Sequence, residues 1–257
     1  MLHLRQVCLV ARDLAPAEEE IAAILGLSPA YRDPAVANWG LENAVFPVGT
    51  QFLEVVAPTR EGTPAGRFMD RRGGDAGYMV ILQTDDQESY RARAAAQKIR
   101  TAFEFTDEPD GYSCWQLHPG DTGAAFLEID RQRGDDPGGD WHPAGHDWRN
   151  HQRTDRVSGV TAVTLTAQDP AALAARWAAV LDRPLRDGAG GVELALDNAV
   201  LRFDAAPSDR SEDEMTGITF AASDIGAVRI AAAARDRAGT DGAVYLGGVR
   251  LEFQDAG

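Results

Sequence analysis

Glu54 is the first residue in this chain whose setting suggests chemistry. It sits in the middle of TQFLEVVAP, Thr50 to Pro58, between Phe52-Leu53 and Val55-Val56. Gly49 and Pro58 punctuate the ends, so the stretch reads as a strand. Period two sets Phe52, Glu54 and Val56 on one face and Leu53 and Val55 on the other. A carboxylate among apolar neighbours is costly unless something pairs with it. Taken alone, an edge strand with Glu54 in water is the simpler reading. The histidines are the next candidates. His142 and His146 are four apart, a metal-binding spacing on a helix, but Pro143 and Gly145 lie between them and favour a loop. With His151, Trp141 and Trp148, that loop is placed to fold over a cleft or a domain interface. His118 ends the strand YSCWQL beside a Pro-Gly turn, where it can reach a groove or face solvent. His3 reads as a terminal surface residue, and Arg67, Arg71 and Arg72 as a solvated basic loop.

Bulk properties narrow the function. The chain has 257 residues, is 44% hydrophobic and carries a formal net charge of -15. That is enough for two domains with substantial cores. So acidic a chain is a poor partner for nucleic acid or an anionic membrane surface. No apolar run approaches the ~20 residues of a membrane span. MLHLRQVCLV lacks the layout of an export signal, so a cytoplasmic protein is expected. Cys8 and Cys114 form no motif and read as free thiols. No glycine cluster has phosphate-loop spacing, so no nucleotide cofactor is expected.

The elements that must position Glu54 repeat along the chain. Gln6 to Ala11 reads as a strand. PAEEEIAAILGL follows as a helix, with Ile21, Ile24 and Leu25 on one face and Gly26 at its end. Ala44 to Val48 and Gln51 to Val56 are two strands. A second unit follows the basic loop Arg67 to Gly74. Its parts are the strand Tyr78 to Gln83, a helix started by Asp85 with Glu88, and the strands Tyr112 to Leu117 and Ala124 to Ile129. His118 to Gly123 is the turn between those two strands. Residues 131–157 are rich in Gly, Pro, Asp and Arg and read as a linker. Then the first unit returns: VTLTAQDPAALAARWAAVL matches VCLVARDLAPAEEEIAAIL in layout, and LDNAV at Leu196 echoes LENAV at Leu41. A fourth unit has the strand Ile218 to Ala222, a helix begun at Asp224, and strands near Val244 and at Val249 to Phe253. This is an internal repeat of four β-α-β-β(-β) modules. Helices cover one sheet face and leave the other to curve around a ligand.

The strand running into Arg12-Asp13-Leu14 and the closing strands FLEVVAP and AFLEID resemble the vicinal oxygen chelate superfamily, which includes glyoxalase, bleomycin-resistance and extradiol-dioxygenase proteins. The resemblance covers nearly the whole chain. It implies an α+β fold of four βαβββ-type modules, paired into two glyoxalase-like domains with curved mixed sheets. The domains are placed at 1–130 and 158–257, joined by the linker 131–157. The resemblance also implies metal-ligand positions on the first and closing strands of each module. Carried across, these are Gln6, Glu54, Tyr78 and Glu128; Tyr78 departs from the pattern, where an imidazole is usual. Parity agrees, since all four are the polar members of otherwise core-like strands. The equivalent positions in the second half are Ala162, Phe203, Gly217 and Glu252, which provide one ligand and no site. Any chemistry is therefore expected in the N-terminal half.

Two readings follow from this set. In the first, the chain is a metal-assisted lyase or isomerase acting on a small oxygen-rich substrate. Glu54 and Glu128 are then catalytic, and Gln6, Glu54 and Glu128 are metal ligands. Oxygen ligands favour Mg²⁺ or Mn²⁺ over Zn²⁺. Tyr78, Trp39, Trp115 and His118 line the substrate groove. Two carboxylates in one cleft split their pKa values, which suits acid–base work. In the second reading, the groove aromatics bind or sequester a small molecule without catalysis. A ring-cleaving dioxygenase ranks lower, because the resemblance associates that activity with two histidines and a carboxylate. Asn43 and Asn198 share a place in the repeat, which points to a structural role. The chain is expected to be a monomer or a homodimer with a small-molecule partner.

Overall fold

A computed structural model of the chain describes every residue except Ala189, Asp209, Ser211 and Gly257. The first half holds β1 (Leu2–Val10), α1 (Leu14–Leu25), β2 (Leu41–Val48), β3 (Gln51–Pro58), α2 (Pro64–Arg72), β4 (Ala76–Thr84), α3 (Gln87–Ala96), β5 (Thr101–Asp107), β6 (Tyr112–Leu117), α4 (Pro119–Thr122) and β7 (Phe126–Gln132). The second half holds β8 (Val157–Ala167), α5 (Pro170–Leu181), β9 (Leu185–Asp187), β10 (Gly191–Ala195), β11 (Val200–Ala205), β12 (Glu214–Ala222), α6 (Ile225–Ala233), β13 (Val244–Leu246) and β14 (Val249–Asp255). The fold is α+β, as expected. It has two curled mixed sheets of seven strands, in the orders β2-β3-β1-β4-β7-β6-β5 and β13-β14-β12-β8-β11-β10-β9.

The repeat is visible in the pairing. The first strand of a module runs parallel to its closing strand in β1–β3, β4–β7, β8–β11 and β12–β14. Parallel strands need a crossover, and the module helix supplies it. α1 buries the face read from its spacing, Ile21, Ile24 and Leu25, together with Leu14, and α5 buries Leu173, Ala174, Trp177, Val180 and Leu181. Asp169 and Asp224 cap their helices by accepting the N–H groups of Ala172 and Ala227 at 2.9 and 2.8 Å. Asp13, in the matching place on α1, makes no such bond.

The chain divides into two compact units that each combine segments from both halves. One comprises Met1–Arg5, Met79–Asp140 and Thr161–Thr216; the other comprises Gln6–Tyr78, Trp141–Val160 and Gly217–Gly257. In the first, α3 packs on α5, and the Trp177 indole donates to the Thr122 carbonyl at 2.8 Å. In the second, α1 packs on α6, and Arg235 and Arg237 pair with Glu20 at 3.3 and 3.2 Å. No helix among the described residues is long and apolar enough to cross a membrane.

Several local expectations change. The basic stretch at Arg67 to Gly74 is not a loop. It belongs to α2, whose N-cap Thr63 accepts the Gly66 N–H at 3.0 Å, with Pro64 in the first turn and Gly73 closing it at φ 80°. The helix after β4 is capped by Asp86, not Asp85; Asp85 receives the chain's amino terminus instead. The turn at His118 to Gly123 contains the short α4. β5 is an additional, largely exposed strand, whose one short alternation, Phe103-Glu104-Phe105, is too short to read as a strand. Residues 131–157 contain two 3-10 turns, His142–Ala144 and Trp148–His151, and bury both Trp141 and Trp148.

Candidate functional site

Glu54 and Glu128 fall in different compact units, and each has its own set of partners. Glu54 is central on β3, where it faces Val45 of β2 and Cys8 of β1 in register. It is buried, and both of its oxygens are engaged. Gln6 Nε2 donates to Oε2 at 2.8 Å, and Asn43 Nδ2 donates to Oε1 at 2.7 Å. The chain of bonds continues outward on both sides. Gln6 Oε1 accepts the Trp141 indole N–H at 2.8 Å, and Asn43 Oδ1 accepts the Asp33 backbone N–H at 2.8 Å. Indole and backbone N–H groups can only donate, so they fix the orientation of both amides. Position 54 must therefore accept twice, which a carboxylate does. Burial pushes the Glu54 carboxyl above its usual range, against the hydrogen bonds from Asn43, Cys8 and Gln6 that favour the ionised form.

This arrangement does not fit a cation held by Gln6 and Glu54. N–H groups occupy the carboxylate oxygens, and the Gln6 carbonyl oxygen is committed to Trp141. Tyr78 is buried beside this network, with its ring edge on Phe68 at 5.0 Å. Burial, followed by the proximity of Cys8 and Glu54, raises its hydroxyl well above the ordinary phenol range, so it is a neutral wall residue. Phe52, two residues before Glu54, takes the Trp148 ring edge-on at 5.2 Å. Residues 131–157 thus contribute two tryptophans to the surroundings of the Glu54 strand.

In the other unit, Glu128 shares a face of β7 with Asp130, two residues on. The opposing face of β6 presents Tyr112, Cys114 and Gln116. Gln116 stands across from Glu128 in register, and its Nε2 donates to Glu128 Oε2 at 3.2 Å. The Tyr112 hydroxyl donates to Asp130 Oδ2 at 2.5 Å, and the Trp115 backbone N–H donates to Oδ1 at 3.1 Å. Burial, then the adjoining Glu128 charge, drives the Asp130 carboxyl far above its usual range. Burial and the same acidic neighbours push the Cys114 thiol well up, so it is neutral. Glu128 is 6% exposed, whereas Asp130 is sealed at 0%. Candidate ligand atoms of Cys114, Glu128 and Asp130 all lie within 4.8 Å of one another. Among the described residues this is the one such group, and it contains no histidine.

The remaining expected site residues are placed as follows. Trp115 points to the helix side of β6, away from Cys114 and Gln116: its indole donates to Thr101 Oγ1 at 3.0 Å, and the Arg91 guanidinium of α3 lies 4.8 Å from its ring centroid. His118 caps α4, with Nδ1 accepting the Gly120 N–H at 3.1 Å. Trp39 ends the 3-10 turn Pro34–Trp39 and is 39% exposed. Asn198 brackets the Leu4 backbone with two bonds of 2.8 and 3.0 Å, so the repeated asparagines have different partners. Glu252 pairs with Arg250. Both cysteines are free and buried. Sequence reasoning missed Asp130, Tyr112 and Cys114. The signal was present in period two, which places Asp130 beside Glu128 and alternates Tyr112, Cys114 and Gln116 on the next strand.

A hypothetical protein from Staphylococcus aureus superposes with a TM-score of 0.66 at 9% identity, covering 99% of this chain and 100% of that one. Methylmalonyl-CoA epimerase from Mycobacterium tuberculosis matches at 20% identity and a TM-score of 0.44, over 50% of this chain and 87% of that one. The Streptomyces coelicolor epimerase, solved with 2-nitronate-propionyl-CoA, matches at 18% identity and 0.45, over 51% and 97%. No curated protein matches the chain. A family model described as a glyoxalase-like domain matches residues 7–181. Four repeated modules, two curled sheets and that match together place the chain in the glyoxalase-like domain family.

Proposed function

We propose that the chain is a lyase- or isomerase-type enzyme that moves a proton on a small oxygen-rich substrate, with Glu128 and Asp130 as its acid–base pair. One observation carries this reading: two carboxyls on one face of β7 with oxygens within 4.8 Å, Asp130 sealed at 0% and Glu128 6% exposed. Close carboxyls do not both ionise readily, so they share a proton and their roles separate. Burial and the Glu128 charge keep the proton on Asp130, against the hydrogen bonds donated by Tyr112 and the Trp115 N–H. Glu128, held by Gln116 and the less sealed of the two, takes the part of the base. It takes the proton from a carbon next to a carbonyl. Returning that proton to the carbon gives isomerisation; loss of a β-substituent from the carbanion gives a lyase reaction.

A divalent ion is an alternative occupant of the same residues. Cys114, Glu128 and Asp130 would hold it, and a thiolate with two carboxylates suits Zn²⁺ better than Mg²⁺. When bound, it would polarise a substrate carbonyl. Glu54 enters this reading as a buried anchor, because both its oxygens are already taken. The test is solvent-deuterium incorporation at the α-carbon of 2-oxo acids, hydroxyketones and acyl thioesters, followed by NMR, with metal analysis of the same sample. Glu128→Gln should lose the exchange at least about a hundredfold, the scale of acid–base catalysis. Exchange that survives in both Glu128→Gln and Asp130→Asn overturns the proposal.

A further inference from the structure

A cavity of about 430 Å³ opens in the unit that contains β3, between the β1–α1 junction and the β13–β14 hairpin. Its lining includes Arg12, Asp13, Glu20, Arg237, Tyr245 and Gly248. The charges there are unevenly paired. Glu20 is matched by Arg235 and Arg237. Asp75, also in the wall, accepts the Arg12 backbone N–H at 2.9 Å. Among the described residues, the Arg12 guanidinium, the Asp13 carboxylate and the Tyr245 hydroxyl have no hydrogen-bond or ion-pair partner, and the Tyr245 side chain is 47% exposed. The hairpin wall is fixed. Gly248 lies at φ +76° so close to β4 that a Cβ would stand 1.7 Å from the Asp75 carbonyl oxygen. The Tyr245 N–H is held by the Arg237 carbonyl at 2.8 Å.

We propose that this cavity binds an α-amino acid with a flat apolar side chain, as its zwitterion. The ligand carboxylate meets Arg12, its ammonium meets Asp13, and its side chain lies against the Tyr245 ring. One free cation and one free anion, on consecutive residues lining one cavity, select a ligand that carries both charges. A simple anion would face Asp13 and a simple cation would face Arg12, each a like-charge contact that disfavours the wrong ligand. A volume of this size matches small-molecule sites, and an exposed tyrosine ring supplies flat contact area at little entropic cost. The site lies on residues that the proposed proton transfer does not use, so its test is independent of activity.

L-phenylalanine is the probe, titrated into the full ¹⁵N-labelled chain and followed by amide shifts. Saturable shifts at Gly247 and Gly248 with Kd of about 1 mM or tighter are expected. N-acetyl-L-phenylalanine, which lacks the ammonium, and phenethylamine, which lacks the carboxylate, should each bind at least about tenfold more weakly, a difference of roughly 1.4 kcal/mol. Arg12→Ala and Asp13→Ala should weaken phenylalanine by at least about the same factor while leaving the melting curve unchanged. Absence of saturable shifts overturns the proposal. So does equal binding of either single-charge analogue, or unchanged affinity in both variants.

Discussion

Glu54→Gln should destabilise the protein although it removes a buried charge and preserves side-chain shape. Four donors meet four acceptor sites in sequence: Trp141 to Gln6, Gln6 to Glu54, Asn43 to Glu54, and Asp33 to Asn43. A glutamine at 54 offers one oxygen and one NH₂ group. Whichever way it turns, its NH₂ faces the amide N–H of Gln6 or of Asn43. Flipping Gln6 moves the conflict to the Trp141 indole, and flipping Asn43 moves it to the Asp33 N–H. One buried donor is therefore left unmatched, at about 1–3 kcal/mol. Burial already disfavours the Glu54 charge, so the neutral side chain recovers part of that. The net loss is about 1–2 kcal/mol, a fall in Tm of roughly 2–8 °C for a chain of this size. Trp141→Phe removes the indole donor and lets Gln6 flip without conflict. The double variant should then lose about 1 kcal/mol less than the sum of the single variants. Thermal and urea melts of the four proteins measure this. Strict additivity, or a Glu54→Gln protein as stable as the parent, would refute the locked-polarity argument.

Asp130→Asn should be milder, within about 1 kcal/mol at neutral pH, because the Tyr112 hydroxyl can rotate and accept where it now donates. It should also flatten the pH dependence. The Asp130 pKa is raised on folding, so its contribution is fully present below the ordinary aspartate pKa and is lost as pH rises through the folded value. Urea midpoints of parent and variant should therefore diverge above about pH 4, with the variant gaining relative to the parent; parallel profiles would contradict the assignment. Gly248→Ala should lose at least about 2 kcal/mol, since φ +76° and the Asp75 carbonyl leave no room for a methyl group; an unchanged Tm would show that the hairpin yields. Trp177→Phe should cost about 2 kcal/mol from the lost bond to the Thr122 carbonyl and the smaller ring beside Phe203, read as a lower denaturant midpoint.

The four modules were legible because each strand and helix states its period locally. QVCLVA, YMVILQ, VTLTA and ITFAA each buy into a core that any reader of apolar runs can see, and Asp169 and Asp224 sit where helix caps belong. Glu54 and Glu128 were legible as polar breaks in those runs. β5 was not, because its alternation spans only Phe103-Glu104-Phe105 on an exposed edge, and α2 was not, because its arginines hide the Thr63–Pro64 start and the Gly73 stop.

The candidate sites divide along the same line. Strand parity placed Gln6 on the Glu54 face, and the 2.8 Å bond between them is a local consequence of β1 lying beside β3. Which atom of Gln6 faces Glu54 is another matter. It depends on an indole 135 residues away, and the polarity of a hydrogen-bond chain is set by the donor at its far end. Likewise, Asp130 stood two residues from Glu128 in plain view, but its raised pKa comes from burial and the Glu128 charge, against the hydrogen bond that Tyr112 donates across the strand pair. The sequence by itself determined the modules, their order and the strands on which the carboxylates lie, since these follow from local period and repetition. Only the tertiary structure decided which carboxylate is locked and which two are buried side by side, because burial and donor direction are properties of neighbours brought from elsewhere in the chain.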